Sequence, residues 1–137
     1  MLKQICFFRK RPDMTMDAFM DYYENQHSQL SKKMGAQPAI PGAFRYVRRY
    51  LVPEKNPITG EVHDPGFDCV MEIWWNSRAD FERSQAIISD PARLPMTKAD
   101  EEKLFASHAN PVCTCIEYDS PMGPNGEATQ VELRYGD

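Results

Sequence analysis

The chain has 137 residues, of which 42% are hydrophobic and 26% are charged, and its formal net charge is −4. This length and composition indicate one globular domain with a core of its own, rather than a disordered chain. The acidic balance argues against a nucleic-acid partner, and no apolar run is long enough to span a membrane. The first residues already read as a strand and carry no secretory signal, so we expect a cytoplasmic protein.

The four cysteines, Cys6, Cys69, Cys113 and Cys115, each lie in an apolar strand-like run, and no pair has the CxxC spacing of many zinc sites. We expect four reduced and buried thiols, with a metal site or a reactive thiol as the alternative. The sequence contains no phosphate-binding loop, dinucleotide fingerprint or paired-histidine metal motif. We therefore expect no nucleotide, flavin or metal cofactor.

The first predicted element is a strand over residues 3–10, and a turn at Arg11-Pro12-Asp13 separates it from an amphipathic helix. The helix should have Thr15 as its N-cap and should end near Met34-Gly35. Apolar and aromatic side chains recur in it at three- and four-residue spacing, and they therefore share one face. The members of this stripe are Met16, Phe19, Met20, Tyr23, His27 and Leu30.

His27 is the titratable side chain of this stripe, and it lies one helical turn beyond the phenol of Tyr23. An imidazole beside a phenol in a dry pocket is the arrangement expected of a general base. The alternative is a structural histidine, half-buried and bonded to a backbone carbonyl.

Two further strands are predicted over residues 44–52 and 67–75, with a polar loop over residues 53–66 between them. Alternation places Phe44, Tyr46, Arg48 and Tyr50 on one face of the second strand. The third strand has one wholly apolar face, which includes Trp75. Its other face is mixed and consists of Asp68, Val70, Glu72 and Trp74.

Capping-box patterns at residues 77–80 and 97–100 predict one helix through about Ile88 and a shorter one through about Phe105. A fourth strand is predicted over residues 112–118, and residues 130–135 alternate as a late edge strand would. This order of elements is that of the α+β, ferredoxin-like split βαβ fold, an antiparallel sheet with helices on one face. The mixed face would then lack cover, so we expect two sheets to pair in a homodimer.

Three segments carry a resemblance to the EthD-type family of the dimeric α+β barrel superfamily. The run RKRPDMTMDAFMDYYENQHSQL resembles the opening motif of that family, FDCVMEIWW is similar to its Asp-x-x-x-Glu strand, and DEEKLF resembles its acidic-Glu-x-x-Phe segment. Tyr23 stands where tryptophan is common, and the loop over 53–66 and the tail after Asp119 depart from the pattern. Residues 1–119 would form the domain, and residues 120–137 a C-terminal arm that adds an edge strand at the dimer interface.

The resemblance implies a ferredoxin-like protomer that pairs into a barrel, with a cavity between the sheet and its own helices. Relatives include cofactor-free lyases, isomerases, dehydratases and cyclases that act on aromatic or lactone compounds. Others are accessory proteins of degradation pathways without assigned chemistry. By motif position, the resemblance also implies an acid–base role for His27, with Tyr23 beside it.

We therefore expect a cofactor-independent enzyme in which His27 abstracts a proton next to a carbonyl, and in which Tyr23 or a neighbouring hydroxyl stabilises the enolate. Isomerisation, dehydration, decarboxylation and cyclisation all remain open. The alternatives are a non-catalytic small-molecule-binding accessory protein and a cofactor-free or heme-linked monooxygenase, because barrels of this superfamily can use a single histidine ligand.

Four side chains are expected to contact the substrate, and they are Phe19, Tyr46, Arg48 and Trp75. Phe19 and Trp75 would form the pocket wall, and the alternative for either is a plain core position. Arg48 would anchor a carboxylate or phenolate, or else would pair with Asp68 or Glu72 on the neighbouring strand.

Overall fold

The computed structural model describes residues 1–33 and 42–120. The strands are β1 (Leu2–Phe8), β2 (Ala43–Tyr50), β3 (Cys69–Trp75) and β4 (Val112–Thr114). The helices are α1 (Met16–Asn25), a 3-10 helix (His27–Gln29), α2 (Leu30–Lys33), α3 (Arg78–Ile88) and α4 (Leu94–Glu102). The strands form one antiparallel sheet in the order β2-β3-β1-β4. The α+β, ferredoxin-like fold expected from the order of elements is confirmed.

The core lies between one face of the sheet and the helices. Register pairs Gln4 with Ile73 and Cys6 with Met71, so the buried hydrophobic residues of β1 and β3 point to the same side. Phe105, just after α4, stacks on Phe8 with a ring-centroid distance of 4.2 Å. The buried hydrophobic side chains are Cys6, Phe8, Phe19, Tyr23, Cys69, Met71, Ile73, Trp75, Leu104 and Phe105.

The opposite face of the sheet carries Val70, Glu72 and Trp74, three of the four residues predicted for the mixed face of the third strand, and we call it the open face. The fourth, Asp68, lies before β3 and accepts a hydrogen bond from the Lys10 amide. On the open face, Glu72 forms an ion pair with Arg49 of β2. The register between β2 and β3 shifts between Ala43 and Arg45, and Phe44 packs edge-to-face on Trp74 at a centroid distance of 5.9 Å. The prediction that Phe44 shares the face of Tyr46 was therefore wrong, because the irregularity interrupts the two-residue alternation.

Two helix starts follow from local capping, as predicted. The Thr15 hydroxyl accepts a hydrogen bond from the Ala18 amide at 3.1 Å, and the Ser77 hydroxyl accepts one from the Asp80 amide at 3.1 Å. These contacts satisfy amide groups that a helix leaves unpaired in its first turn.

The first helix ends at Asn25, well before the predicted end at Met34-Gly35, which lies outside the described residues. Gln26 has φ −122° and ψ −64°, and the 3-10 helix begins at the next residue. The Ser28 hydroxyl donates to the Glu24 carbonyl at 2.7 Å. Such a bond to the carbonyl four residues earlier competes with the backbone ladder and bends helices.

The capping-box interpretation of residues 97–100 was wrong. Arg93 is the N-cap of α4, and the Thr97 amide already donates to the Arg93 carbonyl inside the helix. Pro95 suits this earlier start, because a proline in the first turn gives up no helical hydrogen bond.

The end of the described chain also departs from expectation. The last strand stops at Thr114, and both Cys113 and Cys115 are exposed, whereas Cys6 and Cys69 are buried as predicted. The expectation of four buried thiols was therefore wrong for these two. The predicted arm continues past Ser120 and lies almost wholly outside the described residues. Within residues 1–33 and 42–120, no helix is both long and apolar enough to cross a bilayer.

Candidate functional site

A cavity of about 280 Å³ lies between the sheet and the helices. Its sheet wall contains Gln4, Cys6, Met71, Ile73 and Trp75, and it is mostly apolar. The helical side is more polar, and one face of α4 contributes to it through residues spaced four apart. These residues are Arg93, the N-cap of α4, and Thr97 and Glu101 within the helix.

His27 lines this cavity and is held by a carboxylate. Its Nδ1 lies 2.6 Å from Oδ2 of Asp100, and the side chains of His27 and Asp100 are only 14% and 12% exposed. An ionised carboxylate can only accept, so Nδ1 is the donor and Nε2 is the basic nitrogen of the neutral ring. Nε2 has no hydrogen-bond partner in the described part of the chain. It is therefore available to a molecule in the cavity.

Asp100 is fixed by a second donor. The Tyr22 hydroxyl donates to Oδ1 of Asp100 at 2.5 Å. Burial would raise the pKa of Asp100, but hydrogen bonds from His27 and Tyr22 outweigh burial and hold that pKa below its ordinary value. Burial and the neighbouring Asp100 raise the pKa of Tyr22 to about 12. At neutral pH the pair therefore consists of an ionised Asp100 and a protonated Tyr22.

The early end of α1 puts the imidazole of His27 between two aromatic rings. The ring centroid of His27 lies 5.0 Å from that of Tyr23 and 5.4 Å from that of Phe105, and both contacts are edge-to-face. These rings restrict the imidazole to one orientation, and Asp100 selects which nitrogen faces away from the carboxylate.

Tyr23 and Tyr46 form the second polar feature of the cavity. Their hydroxyl oxygens lie 3.0 Å apart, and Tyr23 is fully buried. Burial raises the pKa of Tyr46 to about 12 and raises the pKa of Tyr23 well above its ordinary value, so both phenols are protonated at neutral pH. Two hydroxyls that share one hydrogen bond retain one O–H group, which can donate to an oxygen in the cavity.

Gln4 and Trp75 form a third polar contact on the sheet wall. The indole Nε1–H of Trp75 donates to Oε1 of Gln4 at 3.0 Å. Because an indole nitrogen only donates, this contact fixes which end of the Gln4 amide is the oxygen. The amide nitrogen then faces Cys6, whose sulfur accepts at 3.5 Å.

The other predicted site residues lie elsewhere. Phe19 is fully buried and is not among the cavity-lining side chains. Arg48 does not line the cavity either, and it pairs with Glu24 at 2.5 and 3.0 Å rather than with Asp68 or Glu72. The cavity therefore brings together His27, Tyr23, Tyr46 and Trp75, but leaves Phe19 and Arg48 outside.

The chain has two further histidines, His63 and His108. His108 lines the cavity and bonds to Glu101 at 2.9 Å and Glu102 at 3.2 Å, whereas His63 is exposed and bonds to Thr59. No cluster of three or more histidine, cysteine, aspartate or glutamate side chains suited to a metal occurs within the described ranges.

Sequence reasoning missed Asp100 as the partner of His27, because the pattern around it was interpreted as a helix start. A usable signal was present, since Asp100 opens the DEEKLF segment that resembles the EthD-type pattern. The pairing itself joins residues 73 positions apart, which no local spacing reveals.

Three solved structures share this fold at low sequence identity. An EthD family protein from Bacillus halodurans matches with a TM-score of 0.53 and 18% identity, over 86% of this chain and 100% of its own. A protein from Arabidopsis thaliana matches with a TM-score of 0.55 and 11% identity, over 88% and 99%. A hydroxynitrile lyase from Passiflora edulis matches with a TM-score of 0.51 and 17% identity, over 88% and 96%.

The sequence comparisons give one match. No curated protein matches the chain significantly. The family model described as the EthD domain matches residues 11–108, which include α1, the sheet strands β2 and β3, and the Asp100 segment. This match covers well over half of the sequence, and the chain therefore belongs to the EthD family.

Proposed function

We propose that the chain is a cofactor-independent enzyme that moves a proton at the carbon next to the carbonyl of a small aromatic or lactone-like compound. The observation that carries this proposal is the His27–Asp100 pair, whose Nδ1 contact leaves Nε2 free at the cavity. The apolar sheet wall suits a compact ring, and a cavity of about 280 Å³ suits a small one.

In the proposed step, Nε2 of His27 accepts the proton as the C–H bond breaks, and the electron pair moves onto the carbonyl oxygen. The free O–H of the Tyr23–Tyr46 pair donates to that oxygen as its charge develops. Asp100 stabilises the imidazolium that forms. This proton abstraction is the first step of an isomerisation, a dehydration or a cyclisation. The reverse step, protonation of the enolate carbon by His27, is the last step of a decarboxylation.

The comparisons support an enzyme without selecting the reaction. A hydroxynitrile lyase shares the fold, which agrees with proton-transfer chemistry in such a cavity. Four free thiols in the described ranges agree with a reducing, cytoplasmic location. The mixed open face of the sheet agrees with a homodimer paired through that face.

The test is solvent-deuterium exchange, which detects proton abstraction whatever reaction follows it. Small aryl ketones and lactones are incubated with the enzyme in heavy water, and loss of the proton next to the carbonyl is followed by NMR. We expect His27→Gln to slow exchange by about 10²–10⁴-fold, the usual contribution of a positioned acid–base group. His63→Gln, which alters an exposed loop histidine, is the matched control and should exchange at the wild-type rate.

The outcomes separate the alternatives. Exchange that survives in His27→Gln would overturn the assignment of the base. Compounds that raise the melting temperature but never exchange would favour the accessory protein. A Soret band in the purified protein would favour the heme-linked alternative.

A further inference from the structure

Arg93 is a cationic side chain on the cavity wall that has no partner among the described residues. Its residue is half-buried and lines the cavity, yet its guanidinium has no hydrogen bond, ion pair or ring contact with residues 1–33 or 42–120. Every other arginine of those ranges is engaged. The contacts of these arginines involve Asp64, Asp13, Trp74, Glu24, Glu72, Glu82 and Asp80.

The backbone at Arg93 is well anchored. Its amide donates to the Asp90 carbonyl at 2.9 Å, and its own carbonyl accepts from the Thr97 amide at 3.2 Å as the N-cap of α4. The side chain thus extends from a fixed point. A guanidinium on a cavity wall that has no carboxylate partner among the described residues is suited to bind the carboxylate of a ligand through two parallel hydrogen bonds.

Arg93 is the N-cap of α4, and Asp100, the partner of His27, lies near the other end of that helix. Arg93 and Asp100 are seven residues apart in sequence, which corresponds to about 10 Å along the axis of α4. His27 and Arg93 line the same cavity, whose wall also includes Met71, Ile73 and Trp75. Glu101, the acidic side chain on the cavity face of α4, is already bonded to His108.

We infer that the substrate carries a carboxylate that binds Arg93, in addition to the carbonyl that reacts at His27. This inference rests on the proposed function and names its substrate class: a compact, mainly apolar molecule with a carboxylate at one end and a carbonyl at the other. Arg93 is the specificity-determining residue for the carboxylate.

The experiment compares two probes that differ in one group, para-acetylbenzoate and para-acetylbenzamide, by titration calorimetry. We expect the wild-type protein to bind the acid about tenfold more tightly than the amide, or about 1.4 kcal/mol. Arg93→Met, which keeps the aliphatic stem, should bind the acid no better than the amide, with amide affinity unchanged. Arg93→Lys should recover part of the preference, because it keeps the charge but not the paired hydrogen bonds.

Arg83→Met is the matched control. It removes the same charge from α3 at an arginine that pairs with Asp80, away from the cavity, and it should leave the acid preference intact. Equal binding of both probes to the wild-type protein, or no binding of the acid, would overturn the inference without any variant. An equal loss of both probes in Arg93→Met would overturn it as well.

Equilibrium binding also separates this inference from the proposed function. If no compound exchanges its proton but the acid preference depends on Arg93, the proton-transfer proposal fails and the carboxylate site stands. If exchange depends on His27 and the two probes bind equally, the carboxylate site fails and the proton-transfer proposal stands.

Discussion

Asp100 accepts two hydrogen bonds, from Tyr22 at 2.5 Å and from His27 at 2.6 Å. A carboxylate in this position determines which nitrogen of the imidazole carries the proton. His27, Tyr23, Tyr46 and Trp75 were predicted from face patterning and resemblance, because each lies on a regular stripe. Asp100 was not predicted as a site residue, because its role depends on how α4 packs against α1.

Asp100→Asn tests this role with almost no change in volume. The amide can donate to Nδ1, which favours the tautomer with the proton on Nε2 and removes the free base. We expect deuterium exchange to fall by about 10²–10⁴-fold, as for loss of the base itself. Nitrogen NMR of the histidine ring should report the change of tautomer.

Glu102→Gln is the control for Asp100→Asn, because it changes an exposed carboxylate two residues away that contacts His108. Unchanged exchange in Asp100→Asn, with the original tautomer, would show that Asp100 only packs beside His27.

Glu24 belongs to a separate polar group under the sheet edge. Hydrogen bonds from Arg48 and then Tyr50 lower the pKa of Glu24 below its ordinary value of 4.5, against the opposing effect of burial. A lowered pKa in the folded state means that this stability is present above about pH 4.5 and is lost as the pH falls through the folded pKa.

Glu24→Gln should therefore be less stable than the wild-type protein at pH 7, and the difference should shrink toward pH 3. Urea denaturation at several pH values measures it. Glu54→Gln, in the exposed loop after β2, should show no such trend. A stability difference for Glu24→Gln that is the same at every pH would contradict the assignment.

Among the elements, the starts of α1 and α3 were predicted, whereas the start of α4, the end of α1 and the position of Phe44 were not. The starts of α1 and α3 follow from Thr15 and Ser77, whose side chains act within three residues. The end of α1 was placed too late, because the apolar stripe continues through His27 while the Ser28 hydroxyl binds the Glu24 carbonyl. The predicted face of Phe44 was also wrong, because a register shift between two strands cannot be recognised from the sequence of one strand.

Thr15→Ala should destabilise the protein by about 0.5–2 kcal/mol, because it leaves the Ala18 amide without its acceptor. Urea denaturation followed by circular dichroism measures the free energy of unfolding. Thr15→Ser keeps the hydroxyl and should remain close to the wild-type value. If Thr15→Ala and Thr15→Ser unfold alike, the cap contributes little to stability.

For the whole molecule, the ferredoxin-like fold could be predicted because the order of strands and helices restricts the sheet to few topologies. Self-association cannot be predicted in the same way, because it depends on the composition of a surface and not on the order of strands and helices. The open face presents Ile5, Val47 and Trp74 beside Glu72 and Arg49, so it is not fully polar, and these three apolar side chains are only half-buried.

Val47→Lys tests whether the open faces of two protomers pair in a homodimer. Val47 lies opposite Glu72 in the sheet, so the new cation has an acceptor within the protomer and the fold should survive. We expect sedimentation at micromolar concentration to show a dimer for the wild-type protein and a 15.8 kDa species for the variant.

Ala86→Lys, on the exposed side of α3, is the control and should remain dimeric. A wild-type protein that sediments only as the 15.8 kDa species would contradict pairing through the open face.

The two tryptophans are adjacent in β3 and therefore point to opposite faces of the sheet. Trp75 is fully buried and lines the cavity, whereas Trp74 lies between Lys3 and Arg45 on the open face. The two tryptophan fluorophores of the protein thus lie in different surroundings. Trp74→Phe would leave emission that reports filling of the cavity, and Trp75→Phe would leave emission that reports contact between sheets. One strand thereby supplies separate optical readouts of ligand binding and of self-association.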